Sequence, residues 1–199
     1  MRIIIPFKII SMSLFEKHKY LILFIFIAIY LSLKSLFWPM QKNIQVTVLQ
    51  QQGHITDLYT PGKIIDQKKF NFDKLSFPLG EELFHQNTGY LGYTEDFFIH
   101  AKTQIDVLQA GNYTFTINSD DGFLLKLNNN PICEHSNGRA METSTCSVHL
   151  EKGKQLFDLT YFQGYGSLGL KVSYKLDSHP SYVIGMDSNF MTFNTLDNS

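Results

Sequence analysis

What this chain lacks narrows it early. It holds two cysteines in 199 residues, Cys133 and Cys146, with no spaced histidine partner. A cysteine-based zinc site is therefore excluded, and one disulfide is the most that thiol chemistry supplies. Basic charge is scarce where a partner would meet it. From residue 39 onward 12 Lys and Arg face 17 Asp and Glu, which excludes a nucleic-acid partner, because phosphate binding needs a basic surface. Helical periodicity is almost absent after the first forty residues, as are repeats and low-complexity tracts. No catalytic constellation is present either. Ser167 follows a glycine without a G-x-S-x-G elbow, and the seven histidines are scattered. The adjacent carboxylates Asp120 and Asp121 stand too close to flank a glycosidic bond. The expectation is a protein that binds and does not catalyse.

One long hydrophobic run is present. Tyr20 to Leu33 carries no charge and follows a leader in which Arg2, Lys8, Lys17 and Lys19 oppose only Glu16. An uncharged run this short also suits a signal-peptide core, but the bulky, charged KSLFWPMQ that follows offers no small-x-small cleavage site. Lys34 can snorkel, and Tyr20, Tyr30 and Trp38 suit the two interfaces. The pattern predicts an uncleaved signal anchor, with residues 1–19 a cytoplasmic basic leader and 20–38 a single membrane pass. By the positive-inside rule, everything after it lies in the periplasm or outside the cell.

The remainder reads as strands. Ile44 to Leu49 is a first strand, followed by a polar, turn-rich stretch to residue 95 that reads as surface loop with short strands. From Phe97 the alternation is clear. Phe97, Ile99, Ala101, Thr103, Ile105 and Val107 share one face, and Leu108 to Asn112 reads as a hairpin turn. Asn128 to Pro131 is a further turn. Phe157, Leu159 and Tyr161, then Leu170, Val172 and Tyr174, mark two later strands around the glycine-rich Gln163 to Ser167. Short strands with turn signals between them predict an all-β antiparallel β-sandwich over 39–178, with a C-terminal tail at 179–199. Outside the cytoplasm, the lone cysteine pair is most simply a Cys133–Cys146 disulfide.

The centre of the pattern is Tyr113 to Asn128, YTFTINSDDGFLLKLN. Two alternating strands are broken by Ser119, Asp120, Asp121 and Gly122. Adjacent carboxylates repel, so their placement needs a reason. One is a turn held by Asx side chains with Gly122 at its corner. The other is a hard divalent cation that takes carboxylate oxygens as ligands.

With SDDG and the Tyr161 to Tyr174 segment in hand, the chain resembles the fourteen-kilodalton domain of anthrax protective antigen. That family's run is matched by Ala110, Gly111, Tyr113, Phe115, Ser119, Asp120, Asp121, Gly122 and Leu125. Its second signature, a strand, a glycine-rich loop and a strand ending in an aromatic, is matched by Tyr161 to Tyr174. The family is a β-sandwich found also at the tips of yeast adhesins and inserted in glycoside hydrolases. The resemblance implies a lectin-like carbohydrate module in which Asp120 and Asp121, joined by a cis peptide, ligate Ca²⁺. A second loop with an Asn side chain and backbone carbonyls completes the family's site. Here no Asn stands in that loop, so Gln163 would offer an amide oxygen and Gly164 or Tyr165 a carbonyl. Tyr165 adds a stacking face for a sugar ring. The alternative is a non-catalytic interaction or assembly domain that binds another envelope protein through its loops.

Overall fold

Residues 8–36, 41–60 and 62–196 are described by the computed structural model, and within the first segment side chains are described from 18 to 32. The chain divides into two units, Met1–Met40 and Gln41–Ser199. The first holds helix α1 (Lys8–Leu36), whose side chains from 18 to 32 are all exposed. Among the described residues no helix is long and apolar enough to cross a membrane. The start of the expected leader and Trp38, at the end of the expected anchor, lie outside the described residues.

The second unit is built from β1 (Ile44–Gln52), β2 (Lys63–Phe72), β3 (Ser76–Gly80), β4 (Phe84–His85), β5 (Gly89–Tyr90), β6 (Phe97–Val107), β7 (Gly111–Asp120), β8 (Phe123–Leu127), β9 (Asn130–His135), β10 (Glu142–Leu150), β11 (Gly153–Gln163), β12 (Leu168–Leu176), β13 (Tyr182–Val183) and β14 (Met191–Asn194). Among the described residues these form two main antiparallel sheets and a small hairpin. The seven-stranded sheet runs β2-β1-β6-β11-β8-β9, with β14 also on β6, and the five-stranded sheet runs β10-β7-β12-β13, with β3 also on β12. β4 and β5 pair only with each other.

The alternating residues seen in the sequence form the core between the sheets. Tyr113, Phe115 and Ile117 of β7, Phe123 and Leu125 of β8, and Phe157, Leu159 and Tyr161 of β11 have no exposed surface. Each such side chain contributes about 1.5–3 kcal/mol by leaving water. Where alternation was read correctly, packing followed.

The connections differ from the sequence reading. Leu108 to Asn112 makes no hairpin, because β6 and β7 lie in different sheets. The segment carries the chain across the sandwich. Asn128 and Asn129 do form a hairpin turn, both with positive φ, between β8 and β9. Two further crossings occur at one end of the sandwich. β7 passes to β8 through Asp121 and Gly122, and β11 passes to β12 through residues 164–167. Both crossings fall at the same end because β7 and β12 are antiparallel, with Asp120 opposite Gly169.

Two boundaries also need correction. The expected tail, 179–199, supplies β13 and β14, and Ile184, Phe190, Met191 and Phe193 are buried in the core. The stretch after Leu49, read as mostly loop, holds the ten-residue β2 along the edge of the larger sheet. The expected disulfide is present. Cys133 of β9 and Cys146 of β10 are bonded, with Cα atoms 5.7 Å apart. Since β9 ends one sheet and β10 the other, the bond staples the two sheets along one side.

Candidate functional site

Asp120 ends β7 and its neighbour Asp121 begins the crossing, joined to it by a cis peptide bond. Gly122 completes the corner where no other residue fits. A Cβ there would lie 2.5 Å from Phe162 and 2.6 Å from the carbonyl oxygen of His135. The Asp121 carboxylate is held on both sides. Its Oδ2 accepts the Gly164 N–H at 2.8 Å, and its Oδ1 accepts the Arg139 N–H at 3.0 Å. The acidic pair and the Gln163 to Ser167 loop therefore lie together.

Gly164 is also a close-approach residue. A Cβ on it would stand 2.5 Å from the Ile55 carbonyl oxygen. Tyr165, next in the loop, is 71% exposed and tilts against His54, with ring centroids 5.0 Å apart. Gln163 stands apart from this surface. It is fully buried, its Oε1 accepts from the Tyr161 hydroxyl at 2.9 Å, and its Nε2 donates to the Ser167 carbonyl at 3.1 Å. The same Tyr161 hydroxyl contacts the Asp120 carbonyl. Gln163 thus shapes the base of the loop, and its amide oxygen is already used. Burial, then the charges of Asp121 and Asp120, push the Tyr161 hydroxyl well above its ordinary pKa, so it remains a donor.

Two further segments close the site, and the sequence reading singled out neither. Residues 135–140, within the loop that the disulfide closes, bring Gly138 and Arg139. The Arg139 guanidinium donates to Ser119 Oγ at 2.8 Å, to Ser144 Oγ at 3.0 Å and to the Glu142 carbonyl at 3.2 Å, and lies over the Phe123 ring. The strap His54 to Thr56 is the other. Asp96 holds it through His54 Nδ1 at 3.1 Å and the Ile55 N–H at 3.0 Å, and Gly138 N–H donates to the Thr56 carbonyl. Polar turn residues bear no mark in sequence of the end of the sandwich to which topology brings them.

Together these segments enclose an open cleft of about 420 Å³, lined by His54, Asp120, Asp121, Arg139, Gly164 and Tyr165 among others. Asp120 is 8% exposed. Burial first, then the neighbouring Asp121 charge, push its carboxyl above the ordinary carboxylate range, against the Met141 N–H and Arg139. The cleft thus holds a crowded acidic pair with an exposed aromatic ring beside it.

Solved structures with the same architecture are numerous. The PA14 domain of the MpAFP antifreeze protein is similar at a TM-score of 0.61 and 17% identity, over 79% of this chain and 93% of that one. A PA14 sugar-binding domain from an RTX adhesin follows at 0.59 and 13%, over 72% and 96%. The Epithelial Adhesin 9 A domain from Candida glabrata, solved with Galβ1-4GlcNAc, gives 0.54 and 9%, over 79% and 92%. No curated protein matches the chain. A family model described as the PA14 domain matches residues 84–188, more than half of the sequence and both of its signature segments, and the chain belongs to that family.

Proposed function

We propose that the cleft binds a neutral saccharide, with Ca²⁺ held on Asp120 and Asp121 and the sugar ring resting against Tyr165. One observation carries this reading: the acidic pair is tied through Gly164 to the loop that presents Tyr165, in an open cleft. A hard cation suits that pair, because it would offset the repulsion and burial that already disfavour an ionised Asp120. Among the described residues no group of three or more His, Cys, Asp or Glu stands ready for a metal. The remaining oxygens would come from a loop carbonyl and from sugar hydroxyls. The Tyr165 carbonyl is the candidate, since that of Gly164 already accepts the Asp96 N–H at 2.8 Å. Two similar structures, a sugar-binding domain from an RTX adhesin and an adhesin domain solved with a bound disaccharide, agree with this reading.

The test is a glycan array on the full chain with calcium or chelator, alongside thermal melts. Calcium should raise Tm in the wild type and leave Asp120→Ala unchanged. An array without a single bound glycan overturns the reading.

We further read residues 20–38 as a membrane anchor that holds the sandwich outside the cytoplasm. Its support is the ring of exposed apolar side chains from Tyr20 to Leu31, which water alone would leave as an aggregation liability. A second reading, a protein-binding envelope domain, is favoured by the open edge of β2, where Ile64 and Ile65 are 44% and 58% exposed. Unpaired edges recruit partner strands. In that case Ile65→Lys would abolish crosslinked assemblies, and Asp121→Ala would not.

A further inference from the structure

A second cleft, of about 430 Å³, lies between β3 and the β4–β5 hairpin and is lined by Pro78, Leu79, Glu81, Glu82, Phe84 and Tyr90. Met141 and Leu79 stand between it and the Asp120 cleft. Met141 follows Ala140, a wall residue of the first cleft. Gly169 lies opposite Asp120 in the ladder, and Met141 and Leu79 pack over it between the two clefts. A Cβ placed there would lie 2.5 Å from Met141 Cε and 3.1 Å from Leu79 Cα. Leu79 is itself a wall of the second cleft and is 59% exposed. Met141 and Leu79, packed side by side over Gly169, form the short apolar saddle between the Asp120 cleft and the Tyr90 cleft.

The second cleft is furnished for a sugar as well. Tyr90 is 70% exposed and packs edge-on against Phe84, with ring centroids 5.1 Å apart. The ring is thus braced from behind and open in front, which suits the apolar face of a pyranose. Glu81 and Glu82 add acceptors for hydroxyl groups on the same wall. The hairpin carrying Tyr90 is fixed at its base. His85 is 2% exposed, its Nδ1 accepts the Asn87 N–H at 3.3 Å and its Nε2 donates to the Lys74 carbonyl at 3.2 Å, while Asn87 Nδ2 donates to both oxygens of Asp73 at 3.0 Å.

We infer that the two clefts are successive subsites of one groove, and that the ligand is a neutral oligosaccharide of two or more units, with one unit at Asp120 and Asp121 and a later one on Tyr90. The inference rests on the saccharide reading above and deepens it. Neutrality follows from the walls, since Glu81 and Glu82 repel uronates and sulfated sugars in a cleft where no cation is expected.

The test titrates the full chain, in detergent and calcium, with two matched probe series: glucose, cellobiose and cellotetraose, and galactose, Galβ1-4GlcNAc and the tetrasaccharide of that repeat. In the series that binds, the tetrasaccharide should bind about tenfold or more tighter than the monosaccharide. Tyr90→Ala should erase that gain and leave monosaccharide affinity within about twofold, and because Tyr90 is exposed, its removal leaves the core intact. Asp121→Asn should lose every probe. Equal affinity for long and short members, or a gain that survives Tyr90→Ala, overturns the extended groove alone. If neither series binds and no array glycan does, the saccharide reading falls and this inference with it.

Discussion

At the scale of single residues, Asp120 is where structure and solution conditions meet most directly. Its folded carboxyl is raised above the ordinary value of 3.8, chiefly by burial and then by Asp121. A raised carboxyl means that the folded state holds the proton more tightly than the unfolded chain does. The ionised form therefore costs stability at neutral pH, and the cost is recovered as pH falls through the folded pKa. In chelator at pH 7, Asp120→Asn should melt about 2–4 °C above wild type, and the gap should close as the pH approaches 4, as scanning calorimetry would show. If Asp120 holds Ca²⁺ as proposed, calcium should reverse the order by stabilising only the wild type. Gly164→Ala tests the neighbouring contact. A methyl group pressed toward the Ile55 carbonyl should cost about 1–3 kcal/mol in denaturant melts and weaken ligand binding as the loop leaves Asp121. The acidic pair was legible in the sequence because two carboxylates between core strands need an explanation. Arg139 was not, because its value lies in partners 20 and 5 residues away, Ser119 and Ser144, which only the fold brings together.

At the scale of elements, the disulfide joins a loop to a site. Cys133 and Cys146 close the segment that carries Gly138 and Arg139 to Asp121. Replacing both by Ser should cost about 3 kcal/mol in the chain-entropy model, measured by urea unfolding. Ligand affinity should fall further than this loss of stability explains, because the Asp121 Oδ1 partner is then held by an untethered loop. How well each strand could be read follows from its surroundings. β6, β7, β11 and β12 pack one full face against the core, so their period of two is plain. β2 is exposed along most of its length, with Lys63, Lys68 and Lys69 spread over both faces, so no apolar stripe marks it. β13 and β14 have only two and four residues, too few for alternation to stand out. The Leu108 to Asn112 crossing was mistaken for a hairpin for a different reason. Turn chemistry reports that the chain bends, and which sheet receives it depends on distant partners.

At the scale of the whole molecule, the sequence divides by charge as the structure divides into units. The basic leader and apolar run belong to the first unit, and the acidic surplus to the second. If 20–38 is an anchor, the full chain should remain in the membrane pellet after carbonate extraction, and a periplasm-active reporter fused after Ser199 should be active. A soluble mature form starting near residue 39 would show cleavage instead. Family membership carries the sandwich, while function depends on the residues that each member places on it.

The direction of β1 carries a mechanical consequence. The strand begins at Ile44 beside the middle of β6, and its pairing with β6 ends at Gln50 opposite Phe97, which pairs on its other side with Gln163 at the base of the cleft's loop. Its nine residues span about 30 Å, so tension between a tether before Ile44 and a ligand at the cleft would act along the strand. β1 is bonded to β2 on one side and β6 on the other, and a pull along its axis loads those hydrogen bonds together in shear. They cannot open one at a time like a zip. If the sandwich is tethered and ligated as proposed, it should let go of its ligand before it unravels.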